Sequence, residues 1–208
     1  MKFVKCHTNI PVPSVLETRI DKSNGSLIME FLPGERFDRA WPLMSLEARE
    51  ATRIQLKTFF DELRALLQAN AGWMGSCTRG PVYDHRLNNG VPCGPFDSEY
   101  DFNNFLTEPV SRCPIPRMAE RCCQCLSNNH AITFTHADLC YTNILVDQDT
   151  GHISGILDWE MAGWWPEYWE YSKALFGFRH ARWWVDLVHD VLKPYEKEWQ
   201  LDSELQNF

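Results

Sequence analysis

The sequence predicts an α+β fold in which a small antiparallel β-sheet near the N-terminus is followed by a mainly helical region. Two strand-like runs, 15–20 and 26–31, flank a turn at 21–25 that ends in glycine, which is the pattern of a β-hairpin. From Ser45 onward, apolar residues recur at helical spacing. A second short hairpin, between residues 144 and 157, interrupts the helical region.

Composition limits the class of protein. The 208 residues suffice for one sizeable domain, or for one domain plus a fragment. A hydrophobic content of 44% and a charged content of 23% are globular values. The net charge of −8 argues against a nucleic-acid partner bound through its phosphates. No run approaches the roughly 18 apolar residues of a membrane span, and the N-terminus lacks a signal-peptide core, so we expect no membrane partner and a cytoplasmic location.

The first hairpin is framed by prolines. Pro11-Val12-Pro13 favours an extended entry. After the second strand, Pro33 and Gly34 stand at the positions that a type II turn favours. These flanks support the strand interpretation of 15–20 and 26–31.

A long helix is predicted to begin at Ser45, which is a suitable N-cap, with Glu47 in the first turn. Its apolar face is predicted to be core and comprises Leu56, Phe59, Phe60, Leu63, Leu66 and Leu67. The segment 72–96 is rich in glycine and proline and is predicted to be irregular. Shorter helices are predicted near 98–106 and 117–127.

Eight cysteines include the pair Cys122 and Cys125, with His130 nearby. A structural zinc site requires a second pair at matching spacing, and Cys113 does not supply one. Buried free thiols on a helix are therefore favoured over zinc.

The stretch 134–160 carries the strongest functional signal. Asp138 and Asn143 lie just before the first strand of the second hairpin, and Asp158 lies just after the return strand. Because a tight hairpin returns the chain to its starting point, we expect Asp158 to lie near Asn143. Converging carboxylate and amide oxygens suit Mg²⁺ that is carried by substrate phosphates.

The spacing matches the needs of phosphoryl transfer. That reaction uses an Asp, then four residues, then an Asn, and a metal-binding Asp after a hairpin. Ala137 and the Asp158-Trp159-Glu160 run differ from the residues that protein kinases carry at these places. An ordinary hairpin with a chance match is the less favoured alternative.

This segment resembles the aminoglycoside phosphotransferase and choline kinase-like family, in which His-x-Asp-x-x-x-x-Asn is followed by Asp-Trp-Glu. The resemblance implies a protein-kinase-like fold with an N-terminally truncated start. Residues 1–34 would be a remnant of the N-terminal lobe and hinge, a β-sheet with one open edge. Residues 35–208 would form the mainly helical catalytic lobe. The implied activity is transfer of the γ-phosphoryl group of ATP to a small-molecule hydroxyl.

The resemblance also implies roles for individual residues. Asp138 would accept or orient the proton of the substrate hydroxyl, and His136, grouped with it as catalytic, would mainly support the loop by hydrogen bonding. Asn143 and Asp158 would hold Mg²⁺. Residues 29–34 resemble the hinge between the lobes, in which Glu30, Phe31 and Leu32 would bind ATP and backbone groups near Glu30 and Leu32 would hydrogen-bond the adenine edge.

The family's Gly-rich loop and strand lysine are not found ahead of Val15, and neither Lys2 nor Lys5 is placed to serve as that lysine. We therefore expect weak nucleotide binding and very low phosphotransfer by this chain alone. The alternative is a non-catalytic kinase-like binding or scaffold module. A metal-dependent hydrolase using His136 and Asp138 lacks the further histidines that such a site needs.

Seven of the nine tryptophans lie from Trp159 onward, and Pro166 favours the start of a helix among them. With Glu160, Glu167 and Glu170, these rings could bind a cationic substrate. The favoured interpretation is that the rings pack the core while the glutamates are solvated.

Overall fold

The computed structural model describes residues 1–21, 25–111, 126–178 and 180–205. Contacts group the chain into two compact units, of which the first comprises 1–63 and 139–159 and the second 64–138 and 160–208. The sequence predicts a boundary at residue 34 between the remnant of the N-terminal lobe and the C-terminal lobe. The two units are not divided there, and the lobe boundary stays a prediction. Most of the predicted helix over 117–127, together with Cys113 and the Cys122–Cys125 pair, lies outside the described residues.

The first unit begins with helix α1 (Lys2–His7), followed by strands β1 (Val15–Ile20) and β2 (Gly25–Met29). The two strands pair antiparallel, with Thr18 opposite Leu27, which confirms the first predicted hairpin. In the described ranges, β1 and β2 have no further partner strand, so the expected open edge is present. Their side chains are mostly exposed.

A three-stranded antiparallel sheet forms the second hairpin and its neighbour. Strand β3 (Glu35–Arg36) pairs with β5 (Ile144–Val146), which pairs in turn with β6 (Ile153–Ile156). Helix α2 (Phe37–Ala40) and a 3-10 turn (Trp41–Leu43) follow β3. The hairpin predicted from the 144–157 pattern is therefore confirmed.

Helix α3 (Leu46–Ala65) begins where the sequence predicts, because the Ser45 hydroxyl accepts a hydrogen bond from the Ala48 N–H at 3.1 Å. Leu56, Phe60 and Leu63 are buried on its apolar face. The assignment of Leu66 and Leu67 to that face is wrong. The helix ends before them, and Leu67 is 92% exposed.

Helix α3 holds the tip of the second hairpin. The Gly151 carbonyl accepts hydrogen bonds from Thr52 Oγ1 at 2.8 Å and Gln55 Nε2 at 3.0 Å, and Gln55 Oε1 accepts one from the Ile153 N–H at 3.1 Å. Gly151 has φ +71°, and a Cβ there would lie 1.9 Å from the Ala48 carbonyl oxygen. Only glycine allows this approach of helix and hairpin.

The described part of the second unit is helical around one short sheet, in which strands β4 (Ile132–Thr135) and β7 (Gly163–Pro166) pair antiparallel. Its regular elements in the described ranges are α4 (Glu99–Ser111), β4 (Ile132–Thr135), β7 (Gly163–Pro166), α5 (Trp169–Leu175), α6 (Arg182–Val191) and α7 (Glu196–Leu205). Trp165 stacks on Trp169 at 5.1 Å between ring centroids, and Phe102 meets both rings edge-on. These rings are buried, as the core-packing interpretation of the tryptophans requires.

Within the described ranges, no helix is both long and apolar enough to cross a membrane. The described cysteines Cys6, Cys77, Cys93 and Cys140 are free thiols.

Two glycine substitutions separate steric contact from backbone strain. Gly151 and Gly177 both have φ near +70°, but a Cβ at Gly177 would meet nothing within 4 Å. We expect Gly177→Ala to cost about 1 kcal/mol from the left-handed backbone alone. Gly151→Ala should cost about 3 kcal/mol or more, because helix α3 and the hairpin must also move apart. Denaturant unfolding of both variants measures this, and equal losses would show that the contact with Ala48 is unimportant.

Candidate active site

Residues 136–143 connect β4 to β5 and contain both Asp138 and Asn143. His136 is fully buried and Asp138 is partly buried. The Asp138 N–H donates to His136 Nδ1 at 3.1 Å, which places the ring proton on Nε2. This geometry suits the supporting role expected of His136, while direct participation of either residue in chemistry remains a prediction.

Ala137 lies in the left-handed region, with φ +62°. This conformation costs an L-residue about 1–2 kcal/mol, and it persists only where surrounding groups impose it. Here the Glu170 carboxylate holds the preceding residue. It accepts a hydrogen bond from the His136 N–H at 2.7 Å, and the adjacent Ala137 N–H also favours its charged form.

Glu170 is a residue beside the predicted base whose position the sequence did not reveal. It lies on helix α5 and is only 3% exposed, so the expectation that the glutamates near the tryptophans are solvated is wrong for Glu170. Burial raises the pKa of this carboxyl to about 7, against the two N–H bonds and the charge of Arg64, which lower it. A charged residue inside the apolar run from Trp169 to Tyr171 was the available signal.

A buried ion network lies close to the same loop. Lys173, also on α5, donates from Nζ to the Asp84 carboxylate at 2.9 Å. Burial favours neutral Asp84, but the charges of Arg86 and Lys173 outweigh it and hold the pKa of Asp84 below its ordinary value.

Asp138 acts electrostatically on this network. Burial lowers the pKa of Lys173 and of His85, and the negative charge of Asp138 partly offsets that effect in both. The positive charge of Lys173 therefore lies within electrostatic reach of the predicted base.

The second hairpin brings the two predicted metal residues to one end. Asn143 ends a 3-10 turn directly before β5, and the Leu157 N–H donates to the Asn143 carbonyl at 2.8 Å. Asp158, the next residue, is exposed and has φ +63°. Their backbones are thus close, as expected, and their role as metal ligands remains a prediction.

The donor chemistry of this pair fits Mg²⁺. It offers one amide oxygen and one carboxylate, and the described residues contain no group of three or more His, Cys, Asp or Glu arranged to hold an ion. Mg²⁺ is commonly held by one or two carboxylates together with substrate phosphates and water. Asn143 and Asp158 therefore suit an ion delivered with a nucleotide.

The predicted adenine-binding segment is fixed at its start by Ser14. The Glu30 N–H donates to the Ser14 carbonyl at 2.8 Å. The Glu30 carboxylate accepts from the Ser14 N–H at 3.0 Å and from its hydroxyl at 2.7 Å. The side chain of Glu30 is thus structural, and its carbonyl is the group that suits the predicted contact with adenine.

The same segment continues along strand β6. A Cβ at Gly155 would lie 2.6 Å from Leu32 Cδ1, and the Ser154 hydroxyl donates to the Pro33 carbonyl. Phe31 is 91% exposed. Leu32 therefore packs on β6 at Gly155, which precedes Asp158 by three residues in the first unit.

A protein-family model described as a phosphotransferase enzyme family matches residues 4–203. No curated protein sequence matches the chain. Among similar solved structures, an aminoglycoside-3'-phosphotransferase of type VIII is 18% identical, with a TM-score of 0.57 over 96% of this chain and 75% of that one. The GDP complex of aminoglycoside 2'-phosphotransferase-IIIa is 11% identical, with a TM-score of 0.61 over 99% and 68%.

A third structure is an aminoglycoside phosphotransferase from Streptomyces rimosus in complex with ADP and streptomycin. It is 18% identical, with a TM-score of 0.57 over 100% of this chain and 79% of that one. At these identities the likeness shows the fold, and it confirms the predicted kinase-like α+β class.

Removal of the Glu170 charge should change the pH dependence of stability. Because its pKa is raised in the folded protein, its stabilising contribution is complete below pH 4.5 and falls as the pH rises through about 7. Relative to wild type, Glu170→Gln should therefore gain up to about 3 kcal/mol across that range. Urea unfolding at several pH values measures how the free energy of unfolding of each protein changes with pH. Glu196→Gln, an exposed control, should follow wild type, and a parallel slope for Glu170→Gln would exclude the buried carboxylate as the cause.

Removing only Asp84 from the buried Asp84–Lys173 pair should lower the free energy of unfolding more than removing both charges. Asp84→Ala leaves Lys173 buried without its carboxylate and should cost about 3–5 kcal/mol. Adding Lys173→Met removes the uncompensated charge and should recover part of that loss. Denaturant unfolding decides, with exposed Asp97→Ala as the control. A double variant no more stable than Asp84→Ala would contradict the pairing.

Proposed function

Because this chain belongs to the phosphotransferase enzyme family, we propose that it transfers the γ-phosphoryl group of ATP to a hydroxyl group of a small molecule. The observation that carries the proposal is the loop 136–143. Glu170 fixes its backbone, Asp138 lies within it, and it leads directly into the hairpin that ends at Asp158.

Asp138 would accept the proton of the acceptor hydroxyl, or orient that hydroxyl, as the predicted base. Its backbone N–H is held by His136, whose own N–H is held by Glu170. A fixed loop supports catalysis because the base need not be reoriented in the transition state. Proton transfer by a positioned side chain contributes typically about 10²–10⁴ in rate.

The nucleotide contacts belong to residues of the first unit. The Glu30 carbonyl and the backbone of Leu32 would bind the adenine edge, with Phe31 exposed beside them. Asn143 and Asp158 would hold Mg²⁺, which neutralises phosphate charge when it is bound. The second unit supplies Asp138 and the groups that hold it in place.

The test is a transfer assay on the purified chain with ATP and Mg²⁺, in which ³¹P NMR detects the phosphorylated product. The acceptor panel contains aminoglycosides, choline and uncharged aryl alcohols. Asp138→Asn should lower kcat by about 100-fold or more and leave ATP binding, measured by calorimetry, unchanged. Asp149→Asn, an exposed acid in the hairpin turn, is the control and should retain activity.

Undiminished turnover in Asp138→Asn would contradict the assignment of the base. ATP binding without transfer to any acceptor would favour the non-catalytic binding module instead.

A further inference from the structure

The second unit contains a cavity of about 710 Å³, which is within the range of small-molecule sites. Segment 85–89, the C-terminal part of α4, Phe176 and the end of α7 form its walls. Half of the lining residues are apolar, namely Leu87, Phe105, Leu106, Pro109, Phe176 and Leu205.

Helix α5 joins this cavity to the catalytic loop. Glu170 near its start binds the His136 N–H, and Phe176, which follows its last residue, lines the cavity. Six residues of helix span about 9 Å. Arg86, another lining residue, lies 5.1 Å from the ring centroid of Trp169, the neighbour of Glu170. The cavity therefore lies at the C-terminal end of α5, and the contact between Glu170 and the loop that contains Asp138 lies near the start of the same helix.

His85 gives a second link between cavity and loop. It lies in the cavity wall, and burial lowers its pKa, an effect that the negative charge of Asp138 partly offsets. The neighbouring Asp84 is bound to Lys173 of α5.

The charges in the wall are already balanced within the protein. Arg86 Nη1 donates to Asp202 at 2.8 Å, and the guanidinium also lies 4.8 Å from the ring centroid of Phe176. Besides Asp202, the acid in the lining is Glu108. A ligand with several positive charges needs several carboxylates to replace its water, and the described lining residues offer only Glu108 and Asp202, of which Asp202 is bound to Arg86.

We propose that this cavity receives the acceptor, and that the acceptor is an uncharged or singly charged alcohol with an aromatic or aliphatic body. The inference rests on the phosphotransferase function proposed above. It departs from the less favoured alternative of a cationic acceptor bound by the glutamates near the tryptophans, because Glu170 is buried against the loop and is not available to a substrate. In the transfer, the acceptor oxygen bonds to the γ-phosphorus, the bond from that phosphorus to the β–γ bridging oxygen breaks, ADP leaves, and the hydroxyl proton goes to Asp138.

Filling the cavity tests this assignment without relying on turnover. Leu106→Trp and Leu205→Trp each place an indole in the cavity, from different helices, so one variant suffices if the other fails to fold. Leu67→Trp makes the same change at a position that is 92% exposed. Saturation-transfer NMR measures binding of tyrosol, cinnamyl alcohol and streptomycin, and calorimetry measures ATP binding.

Wild type and Leu67→Trp should bind at least one of the two alcohols. The folded cavity variants should bind it at least about tenfold more weakly, while all proteins bind ATP equally. Failure of wild type to bind either alcohol, equal binding by the cavity variants, or tighter binding of streptomycin would overturn the proposal. Absence of ATP binding in wild type would count against the proposed function rather than the cavity.

Discussion

The loop 136–143 depends on one buried carboxylate. Glu170 accepts a hydrogen bond from the His136 N–H directly before a left-handed alanine, and such a conformation persists only where surrounding groups impose it. Burial favours the neutral form of the Glu170 carboxyl, whereas the neighbouring N–H groups favour its charged form. The pKa of about 7 reflects both effects. We therefore expect the position of Asp138 to depend on the protonation of Glu170.

Within the first unit, hydrogen bonds and close packing hold the segments proposed to bind nucleotide and metal. Helix α3 hydrogen-bonds the turn at Gly151, and β6 accepts Leu32 over Gly155. Both contacts require a missing Cβ, so two glycines set the distances between helix, hairpin and hinge segment. Residues proposed to hold nucleotide and metal are thus grouped in the first unit, whereas the base and the acceptor cavity belong to the second.

The sequence predicted the parts of this arrangement that are local. The hairpins could be read from strand-forming runs and turn residues, and the hairpin geometry brought Asn143 and Asp158 together because it depends on few residues. Glu170 was missed because its burial depends on helix packing against a loop 34 residues away. The Asp84–Lys173 pair spans 89 residues, and the cavity draws on four separate segments, so neither leaves a local pattern. The error at Leu67 has a simpler cause, since apolar spacing continued past the helix end without a stop signal.

A crystal structure of the chain with Mg²⁺ and a non-hydrolysable ATP analogue would test the proposed nucleotide and metal site. We expect adenine against the backbone of Glu30 and Leu32, and Mg²⁺ at about 2.1 Å from the Asp158 carboxylate and the Asn143 amide oxygen. A nucleotide bound elsewhere, or an ion held without Asp158, would contradict the assignment of the first unit as the nucleotide and metal site.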